Sequence, residues 1–340
     1  MSRVDPKSRG VLAPRAHFDL GDYPQAVQWR PDSKQLALAS ISGRMVVLRA
    51  DNGQQVAECA GHAAGTQSIA WHPSGTSLWS GGQDGRVLEW ATTGGEPRST
   101  HLLGKGWVDR MAWRPDGSLL AASCGKMLHW YDRGAGGWTQ AEPHPATVAD
   151  IGWSPDGTQL ATLSYGGVWI WSPGAATSAR YLGWKGSPLV LSWSPNATFI
   201  ATGDQDASVH FWYVRTGKDS RMWGYPGKVK ELAWEASGRW LATGGGPDVC
   251  VWDCSEPGPE NREPILCQLG QAKVTALAWS REHSLLAAGY ADGKVVFWQP
   301  TRSVLPLAQI NGISAVVHLA WSPDETALAI AHENGAIALL

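Results

Sequence analysis

Eight tryptophans begin related tetrapeptides, such as WRPD and WSPD, at nearly even spacing, and this repetition constrains the fold more than any other feature. These anchors are Trp29, Trp71, Trp113, Trp153, Trp193, Trp234, Trp279 and Trp321, with spacings of 42, 42, 40, 40, 41, 45 and 42 residues. Self-similarity at such a period is the signature of a repeat architecture. The eight units leave no room for a second domain, so we expect one domain over residues 1–340, with 1–11 as a flexible tail.

Each unit predicts antiparallel strands joined by tight turns. A large apolar residue lies two positions before every anchor, and a small residue lies one position before it in seven of the eight units. This alternation indicates a first strand that is buried on both faces. Pro follows two positions after six anchors and marks a turn. Leu or Ile seven positions after each anchor begins a second strand, and a third strand ends 17 to 19 positions after the anchor, at Trp in six units.

A fourth, more polar strand completes most units, as in residues 54–61 and 263–270. Four short strands cannot bury both of their faces alone. Radial stacking buries the large side chains of one unit against the small side chains of the next. The pattern therefore predicts an all-β propeller with eight four-stranded antiparallel blades.

The recurring WSPDG turn, LATGG second strand, DG turn and VxVW third strand resemble those of the WD40-repeat family of β-propellers. The resemblance covers roughly residues 12 to 340. The eighth unit lacks a fourth strand, and the segment from Val11 to Leu20 is left without a blade. As in propellers of this kind, we expect that N-terminal segment to complete the last blade and close the ring.

The resemblance also implies a hydrogen-bonded tetrad of His, Ser or Thr, Asp and the third-strand Trp. Only the second unit has all four residues, namely His62, Ser80, Asp84 and Trp90. The Gly-His dipeptide of the family is intact only at Gly61–His62, and its Trp-Asp dipeptide only at Trp252–Asp253. We therefore expect the other blades to depend on aromatic packing, and we assign the tetrad a structural role.

Several classes of function have no support in the sequence. The 28 Lys and Arg residues are balanced by 30 Asp and Glu residues, which does not favour a nucleic-acid partner. We find no catalytic motif, and the five cysteines and ten histidines show no metal-ligand spacing, so we expect no enzyme activity, no cofactor and no metal. No apolar run is long enough for a membrane span and no secretory signal is evident, so we expect a cytoplasmic, monomeric protein with no membrane partner.

Aromatic residues in the connections before first strands, and in the turns between second and third strands, are candidates for a binding surface. The resemblance places both kinds of loop on the face that usually binds partners. Trp107, Trp184 and Trp223 each precede a first strand. The predicted contact residues are Tyr23, Trp107, Asp109, Tyr165, Trp184, Lys185, Asp206, Tyr225, Lys228 and Tyr290. Alternatively, these aromatics plug the central opening or cover the ends of neighbouring blades.

The favoured function is a non-catalytic scaffold that presents these loops to a protein or peptide partner. The alternative is a small-molecule or catalytic site at the mouth of the central channel. Its candidate groups on the first strands are Asp109, Arg110, Asp150, Lys230, Glu231 and His318, and a close, buried set of them would favour it. Binding of RNA or DNA by stacking on the abundant Trp is a third, weaker hypothesis.

Overall fold

The computed structural model describes residues 10–340, which form 33 strands and no helix within that range. The described chain begins with two short strands, β1 (Gly10–Val11) and β2 (Ala16–Asp19). Eight sheets follow in chain order, and we number them as blades 1 to 8. The prediction of an all-β propeller with eight blades is confirmed.

In each blade the strands are antiparallel neighbours, and we call them first to fourth in sequence order. Blades 1 to 4 consist of β3 (Pro24–Trp29), β4 (Gln35–Ser40), β5 (Met45–Arg49) and β6 (Gln55–Cys59); β7 (Thr66–Trp71), β8 (Ser77–Gly82), β9 (Arg86–Ala91) and β10 (Ser99–Leu102); β11 (Arg110–Trp113), β12 (Leu119–Cys124), β13 (Met127–Asp132) and β14 (Gly137–Gln140); and β15 (Asp150–Trp153), β16 (Leu160–Ser164), β17 (Gly167–Trp171) and β18 (Arg180–Gly183).

Blades 5 to 8 repeat the arrangement. They consist of β19 (Pro188–Trp193), β20 (Phe199–Asp204), β21 (Val209–Tyr213) and β22 (Asp219–Met222); β23 (Leu232–Trp234), β24 (Trp240–Thr243), β25 (Val249–Asp253) and β26 (Ile265–Cys267); β27 (Val274–Trp279), β28 (Leu286–Tyr290), β29 (Val295–Gln299) and β30 (Ser303–Ile310); and β31 (Val316–Trp321), β32 (Leu328–His332) and β33 (Ala336–Leu339), joined by β2. First strands of consecutive blades contact each other around the whole ring, including blade 8 with blade 1.

The N-terminal segment closes the last blade, as predicted. Strand β2 pairs antiparallel with β33, with Ala16 opposite Leu339 and Asp19 opposite Ala336. This pairing supplies the missing fourth strand of blade 8. The expectation of a flexible tail over residues 1–11 is wrong for Gly10 and Val11, because β1 pairs in parallel with β30 of blade 7. The rest of that predicted tail, residues 1–9, lies outside the described residues.

The core lies between the blades. In the interface of blades 1 and 2, the small Ala37 and Ala39 of one blade pack in a cluster with Ile69, Leu78 and Trp90 of the next. This pairing of small with large side chains explains why seven of the eight second strands contain Leu-Ala or Ile-Ala, the exception being Leu78–Trp79 in blade 2. Burying a large apolar side chain contributes about 1.5–3 kcal/mol, so the repeated interfaces are the main source of stability.

The anchor tryptophans join neighbouring blades by hydrogen bonds at the inner ends of these interfaces. Trp153 Nε1 donates to the Ala112 carbonyl oxygen at 2.9 Å, and Trp193 Nε1 donates to the Gly152 carbonyl oxygen at 2.9 Å. In both cases the acceptor belongs to the residue just before the anchor of the preceding blade. Six of the eight anchors make this bond in the described structure. The indole therefore has a second use besides packing, which Phe could not supply.

Candidate functional site

One face of the ring carries the connections into the first strands together with the turns between second and third strands, and we call it the upper face. Backbone hydrogen bonds join these loops directly. Ile41 N–H donates to the Tyr23 carbonyl oxygen at 3.0 Å within blade 1, and Gln205 N–H donates to the Ser187 carbonyl oxygen at 3.1 Å within blade 5. Both kinds of loop are therefore parts of one rigid rim. The opposite, lower face carries the turns between first and second strands.

Exposed apolar side chains are distributed unequally between the two faces. Five large ones lie in the upper-face loops, and we call them the upper apolar set: Ile41, Trp107, Tyr165, Trp223 and Ile313. All other exposed large hydrophobic side chains in residues 10–340 lie on β1 or on fourth strands, at the circumference. The lower-face turns of this range contribute none.

Five of the predicted contact residues are exposed on the upper face, namely Trp107, Tyr165, Lys185, Asp206 and Lys228. The exposed fraction of the residue is 51% for Trp107 and 61% for Tyr165. Trp223 is exposed by 74%; the sequence analysis noted that it precedes a first strand like Trp107 but left it out of the predicted contact residues. Its flanking glycine and its distance of 11 residues from the anchor of its unit were the available signals.

Three predicted residues are only partly available. Tyr23 and Asp109 are half-buried, and burial raises the pKa of both side chains. Asp206 is exposed, but it accepts a hydrogen bond of 2.6 Å from Arg221 Nη2 and another of 2.6 Å from Ser208 Oγ. These groups border the surface without adding free charge to it.

Tyr290 is not a surface residue, so its assignment to the binding surface is wrong. It is the last residue of β28 and only 1% exposed. Its ring packs with Val249 and Cys267 of blade 6 and with Trp298 of its own blade. The second strand extends one residue further than expected, which moves Tyr290 from the turn into the interface between blades.

Tyr225 also has a structural role that excludes it from the binding surface. Its hydroxyl accepts a hydrogen bond of 2.9 Å from Trp252 Nε1 and lies 2.9 Å from Thr243 Oγ1, to which it donates. Thr243 Oγ1 in turn donates to the Cys250 carbonyl oxygen at 3.3 Å. Burial strongly raises the pKa of the Tyr225 hydroxyl, which keeps it protonated as a donor.

The tetrad of blade 2 shows which position Tyr225 occupies. Trp90 Nε1 donates to Ser80 Oγ at 2.8 Å, and His62 Nε2 lies 2.9 Å from the same oxygen. His62 Nδ1 lies 3.0 Å from Asp84 Oδ1. Burial lowers the pKa of His62 despite the opposing Asp84 charge, so the neutral ring donates to Asp84 and accepts from Ser80. His62 and Tyr225 both lie nine residues before the anchor of their unit.

Blade 4 contains a related network that the sequence analysis missed. His144, again nine residues before its anchor, places Nε2 2.7 Å from Thr162 Oγ1, and Trp171 Nε1 donates to that oxygen at 2.8 Å. In place of the Asp, the carbonyl oxygen of Lys126 in blade 3 lies 3.2 Å from His144 Nδ1. The signal was the register of His144, since the Gly before it is absent.

Trp184 occupies the same position in blade 5 and is only partly exposed. Its ring packs against His210 with centroids 3.7 Å apart and planes tilted by 36°, and Arg221 lies over it with its guanidinium carbon 5.4 Å from the ring centroid. Trp184 therefore caps the interior of blade 5, in agreement with the alternative that such aromatics cover blade ends. Its assignment as a contact residue is not supported by this geometry.

The candidate groups of the central channel do not converge. Arg110 Nε donates to Asp150 Oδ1 at 3.1 Å, and Asp150 also accepts the Leu191 N–H at 2.9 Å. Glu231 accepts the N–H of Gly245 at 3.3 Å in blade 6. In blade 8, His318 Nε2 lies 3.0 Å from the Pro24 carbonyl oxygen. Arg110, Asp150, Glu231 and His318 each serve a bond between or within blades, and within residues 10–340 the Arg110–Asp150 contact is the only ion pair among the six candidate groups, which weighs against the channel alternative.

One cluster on the lower face has the residue types of a metal site. Ligand atoms of Glu282, His283 and Glu325 all lie within 4.8 Å of one another. The Glu325 carboxylate already accepts hydrogen bonds from the backbone N–H groups of Arg281 and Glu282, and His283 Nδ1 lies 3.2 Å from it. These contacts join blade 7 to blade 8, so the cluster is a structural connection between blades.

The fold and the repeated hydrogen bonds define a β-propeller built from one repeated unit. The family model for the WD domain, G-beta repeat, matches residues 53–90, 180–213, 220–253 and 263–299. The structure superimposes on the C-terminal WD40 domain of Sif2 with a TM-score of 0.80 at 15% identity, covering 97% of this chain and 98% of that one. The computationally designed Ika8 protein gives 0.81 at 17% identity, covering 96% and 98%. The chain therefore contains WD40 repeats within an eight-bladed β-propeller fold.

Curated relatives share part of the chain. Protein FIZZY-RELATED 1 of Arabidopsis thaliana is 32% identical over 198 residues, which is 55% of this chain and 39% of the relative. Eukaryotic translation initiation factor 3 subunit I of Aspergillus fumigatus is 30% identical over 139 residues, 37% of this chain and 41% of the relative. B-type cell cycle switch protein ccs52A of Medicago truncatula is 32% identical over 197 residues, 54% and 39%. The chain thus spans about two fifths of the length of these relatives. No helix within residues 10–340 has the length and apolar character needed to cross a membrane.

Proposed function

We propose that this protein is a non-catalytic scaffold that binds a protein or peptide partner on its upper face. The observation that carries the proposal is the position of the upper apolar set. Ile313 is exposed by 95% and Trp223 by 74%, and both lie in connections that precede first strands. Large exposed aromatic and aliphatic side chains on a rigid support have the properties of binding hot spots.

The lower face supports the proposal by contrast, because its side chains are used to hold the ring together. Arg30 Nε donates to the Gly75 carbonyl oxygen at 3.0 Å, and Arg114 Nε donates to the Gly157 carbonyl oxygen at 2.9 Å, each in the next blade. Asp324 N–H donates to Ser33 Oγ at 3.0 Å between blades 8 and 1. In this proposal the lower face stabilises the ring, and the upper face contacts the partner.

The names of the relatives agree with such a role. One is by name a subunit of a translation initiation factor, and others are by name a cell cycle switch protein and FIZZY-related proteins. A chain that shares their repeats without a convergent set of reactive groups fits a binding protein better than an enzyme.

Site-specific photo-crosslinking tests the proposal. A photoreactive amino acid replaces Trp223 in one variant and Leu305 on β30 in the other, since both positions are exposed but lie on different surfaces. We expect partner crosslinks in cells of the source organism from position 223 and none from position 305. Crosslinks from position 305 alone would contradict the proposal, and a shared melting temperature would show that both variants are folded.

A further inference from the structure

Four exposed lysines lie on the same part of the upper face as its exposed aromatic side chains. Lys105 and Lys126 belong to the loops of blade 3, Lys185 precedes blade 5 and Lys228 precedes blade 6. We call these four residues the lysine arc. Among the lysines of residues 10–340, ion pairs within 4.0 Å engage only Lys218 and Lys294. The four ammonium groups of the arc are therefore free to meet an external charge.

Backbone hydrogen bonds make the arc a continuous and rigid support. In blade 3, Gly125 N–H donates to the Trp107 carbonyl oxygen at 3.1 Å, and His144 N–H donates to the Lys126 carbonyl oxygen at 2.9 Å. Further along the rim, Gly166 N–H donates to the Gly186 carbonyl oxygen at 3.2 Å, next to both Tyr165 and Lys185. Preorganised groups lose less entropy on binding than mobile ones.

The next links carry the arc from blade 5 to blade 6. Gln205 N–H donates to the Ser187 carbonyl oxygen at 3.1 Å, and Val229 N–H, beside Lys228, donates to the Asp204 carbonyl oxygen at 3.2 Å. Alternating cationic and aromatic side chains thus line one path across four blades.

Nearby carboxyl groups compensate little of this charge. Asp109, Glu231 and Asp248 are half-buried rather than exposed. Asp206 is paired with Arg221 at 2.6 Å. Glu142 is the one exposed carboxylate on this side of the rim without a cationic partner in the described structure, and its Oε1 accepts hydrogen bonds from both the N–H and the hydroxyl of Ser178, at 2.9 and 3.1 Å.

The opposite side of the rim has a different character. There Lys294 is paired with Asp292, and Arg44 is paired with Glu58. Hydrogen bonding from Ser42 lowers the pKa of Asp22, which keeps that carboxylate charged. Within residues 10–340 the arc lysines of blades 3 to 6 therefore make no ion pair within 4.0 Å, whereas Lys294 and Arg44 on the other side of the rim are paired.

We infer that the lysine arc binds an acidic peptide segment, in which Asp or Glu side chains alternate with apolar ones. This inference rests on the proposed function and specifies the partner chemistry for the same face. Carboxylates pair with the ammonium groups, while apolar side chains of the peptide cover Trp107, Tyr165 and Trp223. Nucleic acid fits less well, because it requires an extended basic surface and the whole chain carries a net charge of −2.

Selection from a random peptide library displayed on phage tests the inference, with peptides of about 12 residues, a length that spans about 40 Å when extended. We expect enrichment of Asp and Glu in peptides selected by the wild-type protein. A labelled peptide from that selection should bind the K185E/K228E variant at least about tenfold more weakly, a loss of about 1.4 kcal/mol. The matched control is K34E, a reversal of an exposed lysine on the lower face, which should leave the affinity unchanged.

The outcomes separate this inference from the proposed function. Selected peptides without acidic enrichment, or equal affinity of the K185E/K228E variant, would overturn the acidic partner. If the selected peptide no longer bound a W107A/W223A variant in that case, the proposal of an upper-face scaffold would stand. Tighter binding of a single-stranded oligonucleotide than of any selected peptide would overturn both. A matching melting temperature for each variant excludes loss of folding as the cause.

Discussion

The indole Nε1 of Trp29 donates a hydrogen bond of 2.8 Å to the carbonyl oxygen of Ala320, which lies 291 residues further along the chain. This bond repeats, between the first and last blades, the contact that other anchors make with the preceding blade. The two ends of the chain are therefore joined by the same element that joins neighbouring repeats.

Replacement of Trp29 by Phe should destabilise the ring more than the same change at Trp113. Both indoles are buried, but Trp113 Nε1 has no hydrogen-bond partner within the described structure. W29F removes this bond and leaves the Ala320 carbonyl oxygen without its donor. We therefore expect W29F to lower the free energy of unfolding by about 1–2 kcal/mol more than W113F does. Equilibrium urea unfolding measures the difference. Equal free energies of unfolding would show that the bond does not stabilise closure.

Strand β2 offers a test of closure through its alternation. Ala16 is buried against the core shared by blades 8 and 1, whereas its neighbour His17 is exposed. A buried unpaired charge is costly, so A16D should lower the free energy of unfolding by about 2–4 kcal/mol, while H17D should change it by less than about 0.5 kcal/mol. Thermal unfolding of both variants checks this. Similar melting temperatures would mean that β2 does not complete blade 8.

Asp204 should make stability depend on pH. Its side chain is buried, and burial, followed by the charge of Asp206, raises its pKa from the ordinary 3.8 to about 7. The unfolded chain releases this proton at lower pH than the folded chain does. The contribution of protonated Asp204 to stability is therefore lost as the pH rises from about 4 to about 7. Accordingly, the free energy of unfolding of D204N should be about 2–4 kcal/mol higher than that of wild type at pH 7.5. This difference should shrink towards pH 4. A gap independent of pH would refute this account.

Tyr225 and Tyr165 should respond differently to loss of the hydroxyl. Removing it from Tyr225 leaves Trp252 Nε1 without an acceptor inside the blade, and such a loss costs about 1–3 kcal/mol. Tyr165 is largely exposed, so Y165F should leave stability within about 0.5 kcal/mol of wild type. Chemical denaturation of the two variants compares them. A neutral Y225F would return Tyr225 to the candidate binding residues.

The sequence predicts the architecture well because the period and the alternation of large and small residues act in every repeat. Blade number, strand order and closure all follow from counting anchors and locating the unmatched segment from Val11 to Leu20. The tetrad position was recognised only at His62, where the residue types match the family. His144 and Tyr225 occupy the same register, but their partners are a backbone carbonyl and a threonine, which residue type alone does not indicate.

The binding surface is harder to predict because exposure depends on strand ends and on neighbouring blades. Tyr290 lies at a predicted turn, yet one more residue of strand pairing buries it. Trp184 and Trp223 both precede a first strand, and only the first is covered, by His210 and Arg221. The bonds from anchor indoles to the previous blade join residues about 42 positions apart, and their distances exist only in the folded ring.

The most direct test of the central claim is the equilibrium affinity of the crosslinked partner for wild type and two double variants. W107A/W223A removes exposed aromatics of the upper face, and V304A/L305A removes exposed apolar side chains of the circumference. We predict that the first variant loses at least about tenfold in affinity, or about 1.4 kcal/mol, while the second binds like wild type. The reverse result, with both variants folded, would contradict the assignment of the upper face as the binding surface.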